Sequence, residues 1–350
     1  MTLHLGKLER AAMERAVYRS LGKDSTHLLT GPARGLDNAV VSVGTGKRML
    51  VTADPVSIIP SVGMAMSAWL SVHLIASDYT TSGLKPQFAT FTYNLPREMR
   101  GRDAEDYLRA IGRECAKLGI AIVAGHTGSY PGGGFTVVGG GTMFGFCNEG
   151  DYVDPTMAKA GDAILMTKGA AIETAATLAH SFPKYVERVA GRVVCNRAKM
   201  MLSECSTVED ALIASSCGLG PGGVTSMHDA TEGGILGALA EMADASRHAF
   251  FLEKSSVNVA PETLAVCSAF KIDPLATVSE GALILTVSPE SADQVQMKLH
   301  RSGIAARQIG TVKPGRGLWV ASSNGDARKM KPPVDRFWSA YRRGIRSHLK

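Results

Sequence analysis

The chain has no C-x-x-C pair. Its six cysteines, at 115, 147, 195, 205, 217 and 267, are too dispersed for a structural zinc site or a thioredoxin-type motif. No apolar run is long enough to cross a bilayer either: the most apolar span, 62–76, is broken by serines and His73, so a buried helix is predicted there. The first 21 residues lack a secretory apolar region, because Lys7, Glu9, Arg10, Glu14 and Arg15 interleave with the apolar positions. An amphipathic helix, a cytoplasmic protein and reduced thiols are therefore expected. Two phosphate-loop signatures also fail. Gly44 to Arg48 carries a Gly-Lys pair, but Val41 and Arg48 stand where a Walker loop needs Gly and Ser or Thr. Gly218 to Gly223 spells G-x-G-x-x-G, yet it precedes a strand and contains Pro221, which excludes a Rossmann turn.

What is present describes a soluble globular protein: 350 residues, 45% hydrophobic and 20% charged. That length exceeds what one core usually organises, so two domains are expected, over 1–155 and 156–335, followed by a basic segment over 336–350. The net charge of +6 is concentrated at the end. From Lys313 onward basic residues face only Asp326 and Asp335, which leaves the first 312 slightly acidic. Such a tail can attract nucleic acid or an acidic protein partner. Phe337, Trp338, Tyr341, Ile345 and Leu349 fall at helical spacing, however, so a docked C-terminal helix is the preferred reading, with nucleic acid ranked below it.

Two apolar strands, 38–43 and 49–53, flank the turn Gly44-Thr45-Gly46-Lys47, which predicts a hairpin. In a symmetric hairpin Asp37 and Asp54 lie opposite each other, with Cβ atoms about 5 Å apart. Facing like charges destabilise a strand pair unless a cation or proton intervenes, so a metal site is one explanation. A helix over 62–77 is expected to leave Asp78 in the following loop. A strand over 85–93 comes next, then a helix capped by Asp103 and ended by Gly119. A strand over 120–124 delivers Gly125-His126-Thr127 at its end, and 135–146 reads as another strand. In the second half, strands over 163–167, 224–227, 282–287 and 304–312 alternate with helices, so each half resembles a sheet with helices on one side.

Asp37, Asp54, Asp78, Asp229 and Glu232 form a set of isolated acids at predicted strand ends and loops. Such a set suits Mg²⁺, a hard ion that takes oxygen ligands shared between carboxylates and phosphates. Any one of them is equally a cap or turn residue. The run His228-Asp229-Ala230-Thr231-Glu232-Gly233-Gly234 is more specific. Asp229 or Thr231 can cap the helix that follows, and two first-turn glycines leave backbone N–H groups open to a phosphate. Close packing of that helix on a sheet is the alternative.

These segments, in this order, resemble the AIR synthase-like (PurM-like) ATP-binding superfamily, which includes HypE, thiamine-monophosphate kinase and selenophosphate synthetase. Gly35-Leu36-Asp37-Asn38-Ala39-Val40 resembles G-x-D-x-A-V, and Asp54 matches the acid ending the next strand. Asp78 through Pro86 is similar to D-x-x-x-x-G-x-x-P, with Ser77 where Asn is usual. Gly125-His126-Thr127 resembles G-[DE]-T, with His126 replacing the acid. Met227 to Gly234 is similar to the H-D-P-T-x-G-G of HypE, and Ser279-Glu280-Gly281 to its S-E-G. The resemblance implies an α+β fold of two PurM-like domains: an N-terminal mixed sheet that dimerises, helices on one side, and a C-terminal α+β sandwich. It further implies ATP and Mg²⁺ as cofactors and a homodimer, with Asp37, Asp54, Asp78 and Asp229 on the metal. Gly125, Thr127, Gly233 and Gly234 would be at the nucleotide, and Asp229, Glu232 and His126 at the chemistry.

HypE-like chemistry activates a carboxamide oxygen with ATP. The sequence ends Ser347-His348-Leu349-Lys350 without the C-terminal cysteine that carries the amide in HypE, so a separate small-molecule or protein-bound amide is the expected substrate. A small-molecule kinase or cyclo-ligase of the same fold is the second reading. A dimeric nucleotide-binding scaffold, motivated by Ser77 and His126, is the third.

Overall fold

The computed structural model describes residues 6–8, 10–23, 25–131, 133–134, 136–321, 326–331 and 333–347. Most of the amphipathic N-terminal span is described, but only α1 (Arg10–Ala12) and a π-helical turn, Met13–Val17, are helical there. Glu9, Phe135 and Leu349 lie outside the described residues, so the expectations placed on them do too.

The first sheet comprises β1 (Leu28–Thr30), β2 (Ala39–Gly44), β3 (Lys47–Ser57), β4 (Phe88–Leu95), β5 (Ala121–Ser129) and β6 (Val137–Asn148). Their order is β1-β2-β3-β6-β4-β5, antiparallel except for the β4–β5 pair, so the sheet is mixed. Helices α2 (Gly63–Thr80) and α3 (Gly101–Leu118) cover one face, burying Val72, Ile75, Tyr79, Tyr107 and Ile111 against Leu50, Phe91 and Met143. Gly119 ends α3 in the left-handed region at φ 76°, as expected. Asp103 does not cap that helix: it sits in the first turn and accepts both bonds of the Arg100 guanidinium.

The hairpin β2–β3 forms, but its register shifts between Ser42 and Gly44. Ala39 pairs with Val51, so the strict Asp37–Asp54 opposition expected from a symmetric turn is displaced by one residue. Asp54 instead faces Gly141 of β6.

Helices α4 (Ile172–Ser181), α5 (Pro183–Ala190), α6 (Arg192–Met200) and α7 (Val208–Ser215) follow strand β7 (Ala163–Thr167). Then come β8 (Val224–Asp229), α8 (Gly234–Ser246), β9 (Ala249–Glu253), α9 (Pro261–Phe270), β10 (Leu283–Val287) and α10 (Ala292–Arg301). Strands β11 (Ala306–Lys313), β12 (Gly317–Ala321) and β13 (Ala327–Lys329) complete the second sheet, ordered β13-β12-β9-β11-β7-β10-β8. One face packs on α8 through Ile235, Leu239 and Met242, the other on α7 and α10 through Ala211, Val295 and Leu299. This corrects the one-sided expectation for the second half. Every residue of β7, β8 and β10 is buried, as strands covered on both faces must be.

The C-terminal helix α11 (Phe337–Arg346) docks as expected, with Phe337, Ala340 and Tyr341 in a cluster around Phe182 and Phe270. Its seam continues through Gly344, where an added Cβ would meet the Phe182 ring at 2.5 Å. Ile345 points outward instead. Among the described residues no helix is long and apolar enough to cross a membrane.

Candidate metal and phosphate site between the two sheets

Asp229 ends β8 fully buried, directly after His228. Asp37 reaches it from the other half of the molecule: Asp37 Oδ2 is 3.0 Å from His228 Nδ1, and Asp229 Oδ1 is 3.7 Å from the same nitrogen. Ligand-capable atoms of Asp37, His228 and Asp229 all lie within 4.8 Å of one another. The approach of Asp37 is enforced locally. Arg34 pairs with Glu241 and Asp244 of α8, and Gly35, at φ +76°, passes so close that an added Cβ would stand 2.7 Å from the Glu241 carbonyl. On the other side Asn38 donates from Nδ2 to the Asp78 carbonyl at 2.7 Å and to Thr81 Oγ1 at 3.2 Å. That bond ties the Asp37 loop to the end of α2. Asp78 itself belongs to α2 and not to a loop, because the helix continues through Thr80.

The electrostatics of this cluster are frustrated. Burial pushes the Asp54 carboxyl up to about 6, with Lys7 opposing and Asp229, Glu232 and Asp37 adding to the rise. Asp78 is raised further, by burial and then by Asp229, Asp54 and Asp37. Burial disfavours the charged form of His228, but Asp37 and the other carboxylates outweigh it and hold its pKa well above the ordinary value. Short as the Asp37–His228 contact is, it is poorly aligned: Asp37 Oδ2, His228 Nδ1 and both Asp229 oxygens are buried without a directed hydrogen bond. Buried carboxylate oxygens left unpaired beside other acids are what a hard divalent cation satisfies, so the residues fit magnesium.

An open groove of about 540 Å³, lined by Thr92, Asn94, Gly133, Gly139 and Gly140, lies on the uncovered face of the first sheet, whereas Asp54 is in register with Gly141 and Phe91 on the face packed against α2. Gly140 pairs with Pro55, next to Asp54, and an added Cβ there would meet nothing nearer than the Asp54 carbonyl at 3.7 Å. Of the run Gly139-Gly140-Gly141 only Gly140 is open: an added Cβ would stand 1.9 Å from the Thr92 carbonyl oxygen at Gly139 and 2.6 Å from Ile75 at Gly141.

Two groups of expected site residues behave differently. Gly125, His126 and Thr127 lie inside the edge strand β5, exposed. Pairing runs from Pro55 through Gly140 and Thr92 to His126, three strand spacings or about 14 Å. His126 therefore cannot share an ion with Asp54 in one chain; it bonds Tyr130 Oη at 2.7 Å instead. The Gly233 and Gly234 N–H groups are occupied as well. Gly233 donates to Asp335 Oδ2 at 2.8 Å and Gly234 to the Thr231 carbonyl at 3.0 Å. Neither Asp229 nor Thr231 caps α8; Gly233 stands at its N-cap and Asp335 serves it from a distance. The close-packing alternative applies at Gly234, where an added Cβ would stand 2.5 Å from the Thr277 carbonyl.

Glu232 is fully engaged: Oε2 accepts from the Lys7 backbone N–H at 2.8 Å and Oε1 from Trp338 Nε1 at 3.0 Å. It positions neighbours more than it faces a substrate. Sequence reading missed Lys7, Asn38, Glu173, Asp335 and Trp338 as members of the site, and Lys168 as the anchor of its floor. Lys168 Nζ pairs with Asp210 at 2.9 Å and donates to the carbonyls of Glu204, Ser206 and Gly281, which fixes the Ser279-Glu280-Gly281 turn. The Glu280 side chain beside it is buried with one oxygen unpaired.

Glu173, in the first turn of α4, also has an unpaired buried oxygen, and burial followed by Glu232, Asp335 and Asp54 pushes its pKa up to about 8 from 4.5. The folded protein therefore holds a proton there that the unfolded chain releases, and stability falls as pH rises between those values. Because each pH step of one across that window is worth about 1.4 kcal/mol, Glu173→Gln is expected to melt at least a few degrees higher than wild type at pH 8.5, with the gap closing toward pH 4.5. Thermal melts in EDTA across that range test this; parallel profiles would remove the buried acid from the account.

Two α+β halves that meet at an acid-rich junction match the AIR synthase related architecture. The chain belongs to the AIR synthase related family of enzymes: residues 35–147 match the model of its N-terminal domain and residues 159–321 that of its C-terminal domain. It is 26% identical over 296 residues to the carbamoyl dehydratase HypE of Bradyrhizobium diazoefficiens, covering 79% of this chain and 78% of that one. The fold superposes on HypE from a HypE–HypF complex with a TM-score of 0.73 at 18% identity, over 92% of this chain and all of that one. It superposes on HypE in complex with ATP with a TM-score of 0.65 at 20% identity, over 94% and 96%.

Proposed function

We propose that this chain is a magnesium-dependent enzyme that uses ATP to activate an amide or carbonyl oxygen of a separate substrate. The observation that carries the reading is the meeting of Asp37 of the first half with His228 and Asp229 of the second, with Asp37 Oδ2 and both Asp229 oxygens unpaired and the charges of Asp54 and Asp78 felt by the same cluster. The ATP complex of a HypE of the same fold supports the nucleotide, and the carbamoyl dehydratase relatives support the reaction type. Magnesium, which Asp37 and Asp229 would hold with Asp54 and Asp78 as the further acids of the set, would supply charge neutralisation to the transferring phosphoryl group.

In the reaction the substrate oxygen attacks the terminal phosphorus. The new O–P bond forms as the bridge to ADP breaks, and an amide then loses its nitrogen protons and the C–O bond, releasing phosphate. Glu280, buried with a free oxygen and a raised pKa, is placed to accept a proton, and Glu232 holds the loop that orients the acceptor. The protein acts as a homodimer through the uncovered face of the first sheet, where Val43, Val137 and Phe146 are exposed. It works in the cytoplasm.

The test uses candidate amides labelled with ¹⁸O at the carbonyl. Activation carries the label into inorganic phosphate. Phosphate without label means plain hydrolysis, and a stable phosphorylated product means a kinase; either outcome ends the amide reading.

A further inference from the structure

The N- and C-terminal segments converge on the loop that follows Asp229. The Lys7 backbone N–H donates to Glu232 Oε2, and Lys7 Nζ donates to Thr231 Oγ1 at 2.9 Å. Trp338 of α11 donates to the other Glu232 oxygen and packs on Gly6, where an added Cβ would touch the indole at 2.7 Å. Glu232 is thus held from both sides, and the backbone of Lys7 is fixed relative to strand β8, which ends in His228 and Asp229. Lys7 is exposed as a residue, yet its ammonium reaches into the acids. Partial desolvation opposes its charge, and Glu241, Asp78, Asp54 and Glu232 outweigh that. Asp37, Asp54 and Asp78 each have Lys7 as a neighbouring positive charge.

We propose that Lys7 is a catalytic residue whose ammonium engages the terminal phosphate of the bound nucleoside triphosphate, with Glu232 and Trp338 as its positioning residues. The proposal rests on the ATP reading above. Lys7 is bonded to Thr231 and Glu232 of the second half and feels the charges of Asp54 and Asp78 of the first, so its ammonium links the acids of the two halves. An ammonium on a flexible stem, with three donors, can exchange carboxylate partners for phosphate oxygens once magnesium satisfies the acids. Its anchor is a main-chain bond, so the stem is free to move while its root stays fixed.

The experiment is equilibrium binding of ADP and of β,γ-methylene-ATP, each with magnesium, to the full chain, with folding checked by circular dichroism. Lys7→Ala is expected to lose about 10- to 100-fold in affinity for the triphosphate analogue, the range of a lost hydrogen bond to a charged group, while ADP affinity changes less than about threefold. Lys7→Arg keeps most of the preference for the triphosphate, and Trp338→Phe, which removes only the indole N–H, loses part of it. An unchanged triphosphate-to-diphosphate ratio in Lys7→Ala overturns the proposal. So does tighter magnesium binding as the sole change, which would make Lys7 a counter-ion to the acids and no more. Wild-type protein that binds neither nucleotide would instead end the ATP reading itself.

Discussion

Asp54→Asn is expected to lower magnesium-dependent ATP turnover by about 10³-fold while leaving the metal-free protein as stable as wild type or more so. The first half of that expectation follows from position. Asp54 sits on β3 opposite Gly141 and shares the field of Asp229, Glu232 and Asp37, the acids around which the proposed function sets the ion. Replacing a carboxylate ligand by an amide removes a unit charge where charge stabilisation counts for several kcal/mol, and each 1.36 kcal/mol is tenfold in rate. The second half follows from sign. The folded-state pKa of Asp54 is raised to about 6 from 3.8, so its ionised form costs stability, a cost that builds as pH rises through that window and is fully present at pH 8. Asparagine removes that repulsion. A melt in EDTA at pH 8 and an ATPase assay with magnesium, both on the same preparations, give the two readouts. Turnover retained within about tenfold would remove Asp54 from the metal site, and a large fall in melting temperature would mean that its role is structural.

The split between function and stability explains which parts of the site were legible in the sequence. Asp37, Asp54, Asp78 and Asp229 stood out as isolated acids at strand ends and loops; the structure brings Asp37 and Asp229 together with His228, and Asp54 and Asp78 contribute their charge to that cluster. Their relation was misjudged where it depended on one residue of register: the irregularity between Ser42 and Gly44 breaks the symmetry of the hairpin. Asp78 still joins the cluster although α2 runs past it, because Asn38 binds the carbonyls at that helix end. Residues that act across long stretches of chain were not legible. Lys7 meets Glu232 over 225 positions and Trp338 meets it over 106, and no local period records such contacts. His126 was overread for the opposite reason. Expected just past the end of a strand, it lies inside β5, and three strand spacings separate it from Asp54.

Gly234→Ala is expected to be the more damaging of the two glycine substitutions in the 233–234 pair, costing about 3–5 kcal/mol, roughly ten degrees or more in melting temperature. Gly234 has φ +61°, which alone costs an alanine about 1–2 kcal/mol. Its added Cβ would also stand 2.5 Å from the Thr277 carbonyl and 2.9 Å from the Leu275 carbonyl, both backbone atoms that cannot rotate away. The start of α8 would have to withdraw from the 275–277 segment, breaking the Leu236 N–H bond to the Leu275 carbonyl and disturbing Thr277, which donates to Asp335. Gly233→Ala meets only the Gly237 Cα at 3.3 Å and Pro333 at 3.8 Å, so it bears the strain of its φ of +85° and little more, about 1–2 kcal/mol. Comparable melts for the two variants would contradict the packing account. If instead Gly234→Ala folds well but loses triphosphate affinity, the glycine pair serves the phosphate directly, and the Asp335 bond to Gly233 describes only the nucleotide-free form.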